Sequence, residues 1–342
     1  MFNKKYWPGK EFYYRLAKDF NLPFNIFDRK MIDYYKKNFS EVWPTDKEVL
    51  LHNSLVNYNV EMNKFNEYLN AWTDGILKEI EDSKEYKAFN ECDMLKFNML
   101  DVYDNYGVKV GNKQVYTKEN VGSVFMSIDL KKANFQALQF VGVIDKKYTS
   151  YEEFIRLKTG NSYLPYSKHK RQVLFGKLNP KRIITVEKYI MHSIYDNIKM
   201  LLKLNGLEHM VNLYSINNDE LIFKYSSNSE HISKIWSENV SYVINHLSIL
   251  KGTGFDVRVE HFRLDKLDIV TENGTEVPAY VKHNVLNGEE TLKKVPGMYF
   301  PQVYKLWKGK KITKKDRMFY YEGQVCHFNK PLKIRKDENI GN

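Results

Sequence analysis

Two aspartates, Asp129 and Asp219, carry the clearest chemical promise in the chain. Asp129 closes a run, Val121 to Asp129, in which Val124, Met126 and Ile128 alternate as they would on one face of a strand. Asp219 lies where Val211–Ile216 and Glu220–Tyr225 turn back on each other at Asn217-Asn218, residues that tolerate positive φ. If both strand ends meet, two carboxylates converge. Such a pair repels itself and is costly to ionise unless cations lie between, which suits Mg²⁺. Two Mg²⁺ ions about 3.5–4 Å apart would clamp the attacking and leaving oxygens of a phosphoryl displacement. Taken singly, Asp219 could be an ordinary turn residue and Asp129 a helix cap, so the surrounding topology has to decide.

That topology is readable. A long amphipathic helix, Lys181 to Leu204, follows the first strand, with Ile183, Ile190, Ile194 and Ile198 on one face. After the hairpin comes a helical pattern from Glu230 to Leu250, a Gly252-Thr253-Gly254 stop and a strand from Phe255 to Leu264. The order β, α, β, β, α, β predicts an α+β fold built on a ferredoxin-like antiparallel sheet, and right-handed crossovers place the first strand beside the hairpin. Asp129 and Asp219 then fall at neighbouring strand ends.

Around this unit, residues 1–100 read as a helical region, with breaks at Pro23 and Pro44, Thr45 or Asp46 as a helix cap, and a turn or interruption at Trp72-Thr73-Asp74-Gly75. A second domain spans 101–264. It opens with a short hairpin at Tyr106–Lys113 and carries a loop-rich basic insertion at 140–180. Residues 265–332 read as a small β-rich segment, and 333–342 as a frayed polar tail.

With 53 Lys+Arg against 42 Asp+Glu, the formal net charge is +11, and 25 Tyr with 20 Phe supply flat faces. A polyanion with stackable rings, nucleic acid, suits that surface, although the same composition arises in a chain from an AT-rich genome. Two cysteines, Cys92 and Cys326, cannot make a disulfide framework or a metal knuckle, so a reducing cytoplasmic setting is expected. No run approaches the roughly 18 apolar residues of a membrane span, and no membrane partner is expected.

The stretch Ser127-Ile128-Asp129-Leu130-Lys131-Lys132-Ala133-Asn134-Phe135-Gln136-Ala137-Leu138 resembles motif A of template-dependent polymerases, most closely the family A DNA polymerases. Leu213-Tyr214-Ser215-Ile216-Asn217-Asn218-Asp219-Glu220-Leu221-Ile222-Phe223 is similar to that family's motif C. Arg171-Gln172-Val173-Leu174-Phe175-Gly176-Lys177-Leu178-Asn179-Pro180 resembles motif B. The resemblance implies a polymerase palm with a thumb-like helical region before it and a fingers-like insertion. Asp129 and Asp219 would be the metal ligands for two Mg²⁺, with Glu220 as the adjacent catalytic carboxylate. Arg171 would hold the incoming triphosphate and Phe175 would pack on the nascent base pair. Asn134 and Phe135 would stand near the sugar 2′-position, and Lys170 and Lys177 would add to the positive field around the phosphates. The implied activity is DNA-polymerase-like nucleotidyl transfer in DNA replication, with primer–template DNA or RNA and nucleoside triphosphates as partners.

The chain departs from the family pattern at Asn134, Gln136, Asn218 and Asn179-Pro180. These departures keep open a non-catalytic nucleic-acid-binding or scaffold protein with a degenerate palm; the compact spacing of 90 positions between Asp129 and Asp219 keeps open a reverse-transcriptase-like enzyme, and the shared sheet order a template-independent palm nucleotidyltransferase.

Overall fold

A computed structural model of the chain describes residues 9–24, 29–104, 106–204, 206, 208–226 and 255–335. The first part is helical: α1 (Lys10–Phe20), α2 (Arg29–Asn38), α3 (Thr45–Tyr58), α4 (Met62–Asp82) and α5 (Lys84–Glu91). Neither Thr45 nor Asp46 caps α3, because the helix already includes both and Pro44 holds the cap position without a side-chain bond. Helix α4 runs unbroken through Trp72–Gly75. Phe65, Leu69, Thr73, Ile76 and Ile80 keep one buried face at helical spacing, and that burial outweighs the roughly 1 kcal/mol that one glycine costs. The hairpin expected at 106–113 reduces to a single bridge, Tyr103 to Lys109.

The centre is an antiparallel sheet. Strand β1 (Val124–Leu130) leads into α6 (Ala133–Phe140), α7 (Tyr151–Thr159), α8 (Lys168–Lys177) and the long α9 (Pro180–Leu204). Then follow β2 (Val211–Ile216), β3 (Glu220–Tyr225), β4 (Val257–Lys266), β5 (Ile269–Val270), β6 (Glu276–Val277), β7 (Tyr280–Asn284) and β8 (Glu290–Lys293). Six strands form the sheet in the order β2-β3-β1-β4-β7-β8. Within it, β2-β3-β1-β4 is the order that the βαββαβ pattern requires, with β1 beside the second hairpin strand. The helix expected over 230–250 and the stop at 252–254 lie outside the described residues.

Strand β1 is buried on both faces because each face has a cover. Val124, Met126, Ile128 and Leu130 belong to the main core with α6 and α9, where each buried side chain contributes about 1.5–3 kcal/mol. On the other face Phe125 joins Ile222, Phe262, Leu264 and Tyr280 under Val115. The basic insertion is more helical than loop-like. Ser150 caps α7 by accepting from the Glu153 amide at 3.1 Å, and Ser167 caps α8 by accepting from the Lys170 amide at 3.0 Å.

The last part differs most from expectation. Strands β7 and β8 extend the central sheet instead of standing apart. A helix, α10 (Phe300–Trp307), sits among them, and β9 (Met318–Tyr321) and β10 (Gln324–His327) form a separate hairpin. Lys333 and Ile334 are not frayed: as β11 they pair with β5 in a sheet completed by β6. Residues 336–342 lie outside the described residues. The α10 region folds back onto the N-terminal helices, with Phe24 meeting Phe300 at 6.0 Å and Phe39 meeting Tyr304 at 5.0 Å between ring centroids. One continuous core runs from Phe12 to Tyr304.

Candidate active site

Three strand ends meet at one edge of the sheet. In the register, Asp129 on β1 stands opposite Glu220 on β3 and opposite Arg258 on β4. Directly opposed residues have Cβ atoms roughly 4.5–5.5 Å apart, so a like-charged pair there is destabilising unless neutralised. Asp219 follows at the next step, where its carbonyl accepts the Leu130 amide at 2.8 Å. The turn itself uses Asn217, Asn218 and Asp219, closed by the Asn217 amide donating to the Glu220 carbonyl at 2.9 Å. Neither asparagine adopts positive φ, because a three-residue loop does not demand the left-handed pair that a two-residue turn would.

A polar brace fixes the third strand end. Gln136 on α6 accepts the Asp256 amide at 2.8 Å and donates to the Asp256 carbonyl at 2.8 Å, while Lys131 pairs with the Asp256 carboxylate at 2.9 Å. Gln136 thus ties α6 to the beginning of β4.

The electrostatics follow from this crowding. Burial pushes the Asp129 carboxyl up to about 6; Arg258 opposes the rise, and Asp219, Glu220 and Glu260 add to it. Arg258 Nη2 lies 3.4 Å from Asp129 and its Nε 3.6 Å from Glu260, which also pairs with Lys282 at 2.9 Å. For Glu260 burial pushes upward, but the hydrogen bond and charge of Lys282, with Arg258 and Lys293, bring it below the usual carboxylate range. Glu220 accepts from Ser127 Oγ at 2.5 Å. Tyr116 lies within reach of Glu220 and Glu260, and burial followed by those two charges lifts its phenol to about 12.

A further acid stands behind. Glu187 on α9 is 4% exposed and accepts from Asn134 Nδ2 at 2.5 Å. Burial, then the charge of Asp219, lifts it to about 7 against the opposing Asn134 bond. Beside the turn, a cleft of about 520 Å³ is lined by residues that include Leu100, Asp101, Lys188, His192, Asn217 and Asn218.

Asp129, Asp219 and Glu220 are therefore brought together, and Asn134 is linked to Asp219 through Glu187. The other expected residues go elsewhere. Phe175, at 2% exposure, packs its ring 5.9 Å from Tyr151, and Phe135 reaches the same tyrosine at 5.9 Å. Both are core residues in this arrangement, so Phe175 has no face free for a base pair and Phe135 none for a sugar. Arg171 lies over the Tyr151 ring at 5.7 Å. Lys170 is buried and donates to Asn70 on α4, and burial followed by the Arg15 charge lowers its ammonium to about 8. Lys177 pairs with Asp74 at 2.8 Å. Both lysines reach α4: Lys170 from a buried position beside Leu174 and Phe175, and Lys177 through an exposed ion pair.

Glu187, Arg258, Glu260 and Lys282 escaped sequence reasoning. Glu187 left a signal: it occupies the apolar stripe of α9 between Ile183 and Ile190. Arg258 and Glu260 share strand parity with the buried Phe262 and Leu264, which marks charges on a face that is apolar further along.

The donors, carboxylate oxygens, are of the type that suits a hard cation, and one of them, Asp129, is held back from ionising chiefly by burial. Among the described residues no three His, Cys, Asp or Glu side chains are gathered where they could hold a metal ion. No described helix is long and apolar enough to cross a membrane. Compared with known proteins, the chain matches no family model, no curated protein and no solved structure.

Proposed function

We propose that the chain is a palm-type nucleotidyltransferase that extends a nucleic-acid 3′-OH on a template. One observation carries this reading: Asp129, Asp219 and Glu220 converge at the meeting of three antiparallel strand ends, in the strand order that a palm sheet would have. Asp129 and Asp219 would hold Mg²⁺, with Glu220 beside them. Bound there, the metal supplies the positive charge that phosphoryl transfer needs at the attacking and leaving oxygens. Arg258 keeps Asp129 available as an anion by opposing the effect of burial. The cleft lined by the turn residues Asn217 and Asn218 gives a nucleotide-sized volume near the acidic centre, with Lys188 at its wall for a phosphate.

A second reading, a non-catalytic nucleic-acid-binding protein, draws on the inward positions of Phe175 and Lys170, which turn both side chains towards the packing of α8. The test is extension of a labelled primer with Mg²⁺ and nucleotides, with and without template, for the native chain and Asp219→Asn. Template-dependent extension lost in the variant supports the proposal. Products made without template would replace it with a template-independent transferase. Binding without any product would favour the second reading.

A further inference from the structure

The chain's positive charge is concentrated far along the sequence from the acidic centre. Residues 305–335 contain ten Lys or Arg against two acids, Asp316 and Glu322. Asp316 is buried and consumed internally, accepting from Tyr34 Oη at 2.7 Å and from the Thr313 amide at 2.8 Å. Those bonds fasten the loop after α10 to α2, and Lys315 Nζ settles 5.2 Å over the same Tyr34 ring. Lys310, Lys311 and Lys314 are exposed on this fastened loop, and among the described residues no carboxylate lies within ion-pair distance of any of them. Glu41 feels the charge of Lys310 as well as its ion pair with Lys308, so the loop keeps an excess of positive charge that a polyanion would meet.

The adjoining hairpin supplies rings. Tyr321 at the end of β9 is 54% exposed, and Tyr320 and Val325, paired across the two strands, are also exposed. The hairpin is held from below by Phe319 and Phe328, stacked at 4.4 Å, and by Phe328 on Tyr299 at 4.9 Å. By strand alternation Tyr320 stands on the face away from Phe319, while Tyr321 ends the strand on the Phe319 side and stays exposed.

We propose that the loop 308–315 and the β9–β10 hairpin form a binding surface for single-stranded nucleic acid, with the lysines on phosphates and Tyr321 stacked on a base. Cations on a loop that leads within a few residues into a hairpin bearing an exposed ring match single strands, whose bases are free to stack; a duplex offers its phosphates but not its ring faces. The surface is separate from the centre at Asp129 and Asp219, and its binding requires neither Mg²⁺ nor nucleotide.

The experiment is fluorescence anisotropy of a labelled 20-nucleotide oligo-dT, without Mg²⁺ or nucleotide and over a salt series, so that its outcome is independent of whether the acidic centre catalyses. For single strands the logarithm of affinity falls with the logarithm of salt by about 0.7 per phosphate contact. Lys310→Glu/Lys311→Glu/Lys314→Glu should lower that slope by about 2 and weaken binding about 100-fold at 0.1 M salt. Tyr321→Ala should weaken it about tenfold with the slope unchanged. A charge-matched control, Lys78→Glu/Lys84→Glu/Lys87→Glu on the exposed sides of α4 and α5, should keep near-native affinity. Equal losses in both triple variants, or a duplex bound as tightly as oligo-dT with no effect of Tyr321→Ala, would overturn the assignment. Circular dichroism of each variant confirms that the fold is intact.

Discussion

Replacing Glu187 by Gln should stabilise the protein, and by an amount that grows with pH. The carboxyl is buried on α9, and its pKa rises from an ordinary 4.5 to about 7 through burial and the Asp219 charge. Between those two values the native state keeps a proton that the unfolded chain has released, so native stability declines as pH rises across the window and is fully reduced above about 7. At about 1.36 kcal/mol per pH unit the accumulated loss is about 1 kcal/mol at pH 5 and about 3 kcal/mol at pH 7.5. Glutamine keeps the oxygen that accepts from Asn134 and removes the ionisation. Urea unfolding of the native chain and Glu187→Gln at pH 5 and pH 7.5 reads the difference directly. The variant should gain about 3 kcal/mol at the higher pH and about 1 kcal/mol at the lower, and the gain should shrink when Asp219→Asn is added. A variant that is no more stable than the native chain at pH 7.5, or a gap that does not change with pH, would refute the account of Glu187 as a buried acid strained by its neighbour.

His261 behaves with the opposite sign. Burial lowers its ring to about 4, so the unfolded chain takes up a proton first and stability worth about 3 kcal/mol is lost as pH falls from 6.5 towards 4; His261→Gln should flatten that acid limb in pH-dependent melting. Phe175→Ala should cost about 3–5 kcal/mol in urea unfolding, the signature of a core ring and not of a surface that meets substrate. Arg258→Gln should raise the Asp129 pKa above about 6, because Arg258 opposes the rise, and carboxyl ¹³C titration by NMR would show it.

The parts of the fold that were legible in the sequence are those where one period dominates. The hairpin strands Val211–Ile216 and Glu220–Tyr225 and the helix Pro180–Leu204 were readable to within a residue, because a short apolar run on either side of a turn and a 3.6-residue stripe broken only by Glu187 dominate there. Helix α10 was not. Its eight residues are rich in aromatic and β-favouring types, and only the spacing of Phe300, Val303, Tyr304 and Trp307 betrays the helix. At the candidate site, Asp129 and Asp219 could be brought together from topology alone. Arg258 and Glu187 could not, since their partnership with those acids depends on register and on the turn of α9, which composition does not encode. Lys170 and Phe175 show the converse limit: a motif places residues along a helix, but which side of that helix meets the core is decided by α4 and Tyr151.

The contacts of Phe24, Tyr34 and Phe39 with Phe300, Asp316 and Tyr304 also set a schedule for synthesis. The Tyr34–Asp316 pair is separated by 282 positions. At about 5–20 residues per second, the aromatic side of α2 waits roughly 15–60 s on the ribosome before its cover exists. During that interval a nascent chain displays an uncovered apolar face, a surface that holding chaperones recognise. Yield in a cell would accordingly respond to translation speed and chaperone supply as well as to the stability of the finished fold.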